Sequence, residues 1–204
     1  MTKNIFISIN NNIALRNWFY SGLINRLMEN SDEISIITTN ENIKSFCHKN
    51  EIKCHFIDIN PYLISIINYY SNVKYYNNST TQLIKKSPSK NLKYYFSKIF
   101  FIIYVFFKKK IKCDRLILTT MFGGSELLSL KLTKANSVFG SINSWDNPSS
   151  RSMIIENYDQ VFVWSEYTKN SYEKFYNFNP NKIKIIGRLQ DAIENPILKK
   201  ENFH

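Results

Sequence analysis

Short apolar runs alternate with longer amphipathic ones along most of the chain, and that alternation predicts the architecture. Lys3–Ile9 reads as a strand. Ala14–Glu29 reads as a helix, with Leu15, Trp18, Phe19, Gly22, Leu23, Arg26 and Leu27 on the i, i+3, i+4 spacing of one helical face. Glu33–Thr39 follows as a strand, Glu41–Asn50 as a helix and Lys53–Ile59 as a strand. Asn60-Pro61 then opens a further helix, with proline where a first turn tolerates it. This β-α-β-α-β-α order is that of a parallel sheet with helices on both faces.

The pattern pauses and resumes. Residues 75–91 are polar, through Asn77-Asn78-Ser79-Thr80-Thr81 and Lys85-Lys86-Ser87-Pro88-Ser89-Lys90, and predict an exposed, mobile loop. Leu92–Phe107 is an aromatic helix that ends in Lys108-Lys109-Lys110. Asp114–Thr120, Asn136–Ile142, Gln160–Trp164 and Lys182–Ile186 are strands, and Gly124–Leu132 and Glu166–Tyr176 are helices. The expected fold is a Rossmann-like, doubly wound α/β sheet of about seven strands over residues 1–187, with 188–204 as linker or tail. Ligands of such sheets sit beyond the carboxyl ends of the strands. Four unusual loops fall on that rim: Asn10-Asn11-Asn12, Met121-Phe122-Gly123-Gly124, Ser144-Trp145-Asp146-Asn147 and Ser165-Glu166.

Composition bounds the picture. With 204 residues, 44% of them hydrophobic, the chain can bury one α/β core but not two full-sized ones. The net charge of +11 points to an anionic partner. Lys, Asn and Ile are also what an AT-rich coding sequence supplies, so local clustering matters more than the total. The basic residues are spread out except beside the aromatic helix, which argues against nucleic acid. Three cysteines and no leader-like start lead to the expectation of a reduced, cytoplasmic protein. Cys47-His48 and Cys54-His55 lack the CxxC spacing of a zinc knuckle and read as structural.

The candidate chemistry lies in the loops. Asn11, Asn12, Arg16 and Asn17 stand at the start of the first helix, where free backbone N–H groups suit phosphate or carboxylate. A cation there is unfavourable for the helix. Arg16 therefore either meets an anion or pairs with a carboxylate of a neighbouring element. No GxGxxG dinucleotide fingerprint is present. Gly123-Gly124 allows a ligand close to the backbone or is simply a tight turn. In the 141–153 loop, Asp146 can serve as general base or hold a sugar hydroxyl, Trp145 can stack on a sugar, Ser144 and Asn147 can bind hydroxyls, and Arg151 a phosphate. Asn147-Pro148 also reads as a plain helix start. Ser165 reads as a helix cap.

The uncharged run inside the aromatic helix, Ile99–Phe107, has nine residues, against about 20 needed to cross a bilayer. It is apolar all round, whereas a helix covering a sheet needs only one apolar stripe. Phe100, Phe101, Phe106 and Phe107 are therefore expected in the cytoplasmic leaflet of a membrane, with Lys108, Lys109 and Lys110 on anionic headgroups, the alternative being a buried α/β crossover helix.

Ile13-Ala14-Leu15-Arg16-Asn17, Ser144-Trp145-Asp146-Asn147, Val163-Trp164-Ser165-Glu166 and Ile186-Gly187-Arg188-Leu189-Gln190-Asp191 occur in that order along nearly the whole chain. Together they resemble the amino-terminal half of a bacterial surface-polysaccharide glycosyltransferase of the GT-B fold, similar at a distance to CDP-glycerol glycerophosphotransferases and nucleotide-sugar 2-epimerases. Pro148 departs from that pattern, where an apolar residue is expected. The resemblance implies an acceptor-binding half, with Asp146 as the catalytic residue and Arg16 facing a phosphate. It implies a nucleotide-activated sugar held mostly by a second, missing half, with no tightly bound cofactor and no metal. It further implies a lipid-linked or glycan acceptor and a peripheral place on the inner membrane, and leaves three origins for the lone half: a truncated or split gene, an excised domain, or a two-chain enzyme with a separate donor-binding subunit. A non-catalytic anchoring subunit of a two-chain enzyme, or a fragment of an epimerase or glycerophosphotransferase, would carry the same residues.

Overall fold

The computed structural model describes residues 3–29, 33–76, 91–141 and 153–187. Among them, seven strands form one all-parallel sheet in the order β3-β2-β1-β4-β5-β6-β7. They are β1 (Asn4–Ser8), β2 (Glu33–Thr38), β3 (Cys54–Phe56), β4 (Ile111–Leu118), β5 (Thr133–Ser141), β6 (Gln160–Val163) and β7 (Ile183–Ile185). The helices are α1 (Asn12–Tyr20), α2 (Leu23–Glu29), α3 (Glu41–Lys49), α4 (Pro61–Lys74), α5 (Leu92–Phe107), α6 (Gly124–Leu132) and α7 (Glu166–Tyr176). The expected α/β, doubly wound class is therefore the observed one. The edge strands β3 and β7 have three residues each, which leaves little open ladder for another chain to pair with.

Side-chain alternation splits the core into two layers. Ile5, Ile7, Ile34 and Ile36 face α1–α3 and bury against Ala14, Leu15, Trp18, Ile43 and Cys47. Phe6, Ile37, Leu116 and Leu118 belong to the other layer, with Ile67, Tyr70, Leu127, Leu128 and Tyr172 of α4, α6 and α7.

Some boundaries differ from expectation. The single helix expected over Ala14–Glu29 is two, broken at Ser21-Gly22, where Gly22 takes a left-handed φ of +69°. β4 and β5 start three residues early, at Ile111 and Thr133, which pair with each other. Their first turns of ladder carry the exposed Lys112 and Lys134, and these lysines hide the alternation. β5 begins at the residue that follows α6, with no connecting residue between them.

Gly123 and Gly124 bring α6 down onto α4. Gly123 takes φ +91°, and the Gly124 amide donates to Asn68 Oδ1. A Cβ at Gly124 would lie 2.7 Å from the Asn68 backbone nitrogen and 2.9 Å from the Ile67 carbonyl carbon. A Cβ at Gly140 would instead meet the flexible Met121 side chain. Gly124→Ala is expected to cost about 1–3 kcal/mol in denaturant unfolding, and Gly140→Ala less. Equal midpoints for the two variants would remove this account of the turn.

α5 packs chiefly on α4. Tyr94, Ser97 and Phe101 are buried, and Tyr70 of α4 meets Tyr94 and Phe101 at ring distances of 5.7 and 5.1 Å. This corrects the expected membrane face: Phe101 is core and Phe100 is half-buried, whereas Phe106 and Phe107 are about 80% exposed. No helix among the described residues is long and apolar enough to cross a membrane.

Candidate functional site

The strand order places a topological switch point between β1 and β4. The chain leaves β1 for helices on one face and leaves β4 for helices on the other, so their carboxyl ends frame a crevice. Its floor is polar and buried. Ser8 ends β1, and the Thr119 hydroxyl donates to the Ser8 carbonyl at 2.6 Å.

Glu126, in the first turn of α6, reaches into this floor with only 1% of its surface exposed. Ser8 Oγ donates to its Oε2 at 2.5 Å and Asn10 Nδ2 to its Oε1 at 3.1 Å. Burial pushes the carboxyl up to about 7, against the opposing pull of hydrogen bonds from Ser8, Asn10 and Thr120. Among the described residues it has no ion-pair partner.

Asn10 turns this carboxyl into a clamp on the rim. Its Nδ2 donates to Ser8 Oγ at 3.0 Å as well as to Glu126, and its Oδ1 accepts from Thr39 N at 2.8 Å and Thr39 Oγ1 at 3.1 Å. Thr39 Oγ1 also meets Ser125 Oγ at 2.9 Å. The loops after β1, β2 and β4 are thus held to one another by hydrogen-bonded, partly buried polar groups around the buried Glu126. Such a network fixes the geometry of whatever the rim binds.

The expected site residues fall unevenly around this floor. Asn11 caps α1, accepting from Ala14 N at 2.8 Å. Asn12 is exposed, and Asn17 is buried. Arg16 is the fifth residue of α1, one turn past the helix start, exposed and without an ion-pair partner among the described residues. The close approach expected at Gly123-Gly124 is made to α4. Ser165 is the N-cap of α7, as expected, with Thr168 N donating to its Oγ at 3.3 Å. The Trp164 indole N–H, just beyond β6, is buried with no partner among the described residues. Ser144, Trp145, Asp146, Asn147 and Arg151 lie outside the described residues, as do 188–204 and most of the 75–91 loop. Both anchors of the 142–152 stretch are described. Ser141 is buried at the carboxyl end of β5, and Met153 bridges antiparallel to Phe122 beside α6. The stretch therefore leaves and rejoins the same rim.

Glu126 and Thr39 are the rim residues that sequence reading passed over. No clear signal marks Glu126 in the sequence, because Ser125 and Ser129 share its side of α6 and make that side look like an ordinary polar face.

No family model matches the chain, and no curated protein matches it. Among solved structures, a glycosyltransferase from Rickettsia africae superposes with a TM-score of 0.50 at 14% identity, over 92% of this chain and 43% of that one. The two share a Rossmann-like α/β fold over that part. A formyltetrahydrofolate deformylase from Pseudomonas putida matches at a TM-score of 0.26 and 11% identity, over 58% of this chain and 30% of that one, too slight a likeness to carry weight. The chain thus spans less than half the length of the glycosyltransferase it superposes on.

Proposed function

We propose that this chain is the acceptor-side half of a glycosyltransferase that builds bacterial surface polysaccharide. One observation carries the reading: 92% of the chain follows the fold of a glycosyltransferase while spanning 43% of it. In this reading Asp146 takes the proton of the acceptor hydroxyl or holds that hydroxyl. Trp145, Ser144 and Asn147 shape the sugar site, and Arg16 and Arg151 meet phosphate, with Asn11, Asn12, Asn17, Gly123 and Gly124 around them. The donor is a nucleotide-activated sugar held mostly by a second Rossmann-like half. The Ser8–Asn10–Glu126 clamp positions the floor and stays out of the chemistry, because its carboxyl is covered.

The test is reconstitution. The chain mixed with a separately expressed donor-binding half is expected to transfer sugar from nucleotide sugar to a lipid-linked or glycan acceptor, and neither part alone to do so. Full transfer by the partner without this chain would sink the reading in favour of a non-catalytic anchoring subunit. The exposed face of α5 is what favours that second reading.

A further inference from the structure

We infer that the outer face of α5 docks on an anionic membrane surface. The proposal is independent of the transferase reading, since it needs neither donor nor acceptor. Eight of the sixteen residues of α5 are large, apolar and exposed. Leu92, Phe96, Ile99, Ile103, Phe106 and Phe107 run along one side at helical spacing, opposite the buried Tyr94, Ser97 and Phe101. Scattered exposed apolar residues are normal on a soluble protein, but a continuous stripe along a whole helix marks a contact surface. A helix of sixteen residues is about 24 Å long, so it can lie in the headgroup layer along its full length without spanning the bilayer.

The charge selects the occupant. From Ile59 to Cys113 the chain has no Asp or Glu and ten lysines, which leaves the rest of the sequence close to neutral. The excess positive charge therefore resides on the segment that bears the apolar stripe. Lys93 and Lys98 stand near the amino end of α5, and Lys108, Lys109 and Lys110 at its carboxyl end, all exposed. The Lys93 ammonium lies 4.7 Å from the Tyr69 ring centre and that of Lys108 5.2 Å from Tyr104, so aromatic rings hold both charges beside the stripe. A second copy is a poorer occupant. A two-fold pairing of α5 would set lysines against lysines with no carboxylate on the segment to answer them.

The experiment is vesicle co-sedimentation of the full chain. Binding is expected to phosphatidylcholine vesicles containing a third phosphatidylglycerol, and about tenfold or more weaker binding to phosphatidylcholine alone. Phe96→Ser with Ile103→Ser and Phe106→Ser should lower binding to both kinds of vesicle by about tenfold or more. Lys108→Glu with Lys109→Glu and Lys110→Glu should lower binding to the anionic vesicles selectively, and should leave the circular dichroism spectrum unchanged because these side chains are exposed. The proposal is overturned if the chain binds no vesicle, or if neither set of substitutions weakens binding. It is equally overturned if the chain is a dimer in solution that the stripe variant turns into a monomer, since a second copy would then cover this face. None of these failures touches the reconstitution of sugar transfer with a water-soluble acceptor.

Discussion

Replacing Asp146 with asparagine, in the chain reconstituted with its donor-binding half, is expected to lower kcat by about a hundred- to ten-thousand-fold, the range for removing a positioned general base. The substitution keeps size and hydrogen-bonding capacity while it removes the basic oxygen. Reaction with an acceptor hydroxyl needs that proton taken as the bond to the sugar forms, and Asp146 is the single carboxylate of the 142–152 stretch. If Asp146 only holds the hydroxyl, the variant will raise KM and keep kcat, since a ground-state contact was lost and not one made in the transition state. Wild-type kcat and KM together would remove Asp146 from the site. Binding to anionic vesicles should be unchanged in the variant, which separates lost chemistry from lost docking.

The second large effect is on stability. Glu126 has a folded value of about 7 against an ordinary 4.5, with burial as the main cause. For an acid whose value rises on folding, the folded state binds more protons than the unfolded one between those two limits. Stability is then full below the ordinary value and falls as pH rises through the folded one. A shift of this size corresponds to about 3 kcal/mol lost on going from about pH 4.5 to above about pH 7. Glu126→Gln mimics the neutral form and retains an amide oxygen for the Asn10 donor. Denaturant unfolding across this range should show the wild type losing stability relative to the variant by about 3 kcal/mol. Parallel pH curves would mean that the carboxyl is not held neutral in the fold.

Much of the scaffold was legible because local signals agreed with the tertiary fold. α5, α6 and α7 begin and end where the apolar spacing placed them, and Asn91 and Ser165 cap two of them with their own side chains. Other features were hidden for identifiable reasons. Of three consecutive asparagines any could cap α1, and only the backbone path selects Asn11. Phe100, Phe101, Phe106 and Phe107 are chemically alike, and contact with Tyr70 decides which turns inward. A glutamate in a first helical turn is ordinarily an exposed partner of the helix dipole. Glu126 departs from that because Ser8 and Asn10, more than a hundred residues earlier, close over it. The loop motifs stood out as chemistry without geometry, whereas the clamp beneath them is geometry made from ordinary residues.

The direct passage from Leu132 to Thr133 gives α6 and β5 a common clock. With no loop to absorb a twist, each residue added or removed at this joint would turn the helix by about 100° and swing Glu126 away from Ser8. The same joint ties the helix that holds the floor of the crevice to the strand that ends at Ser141.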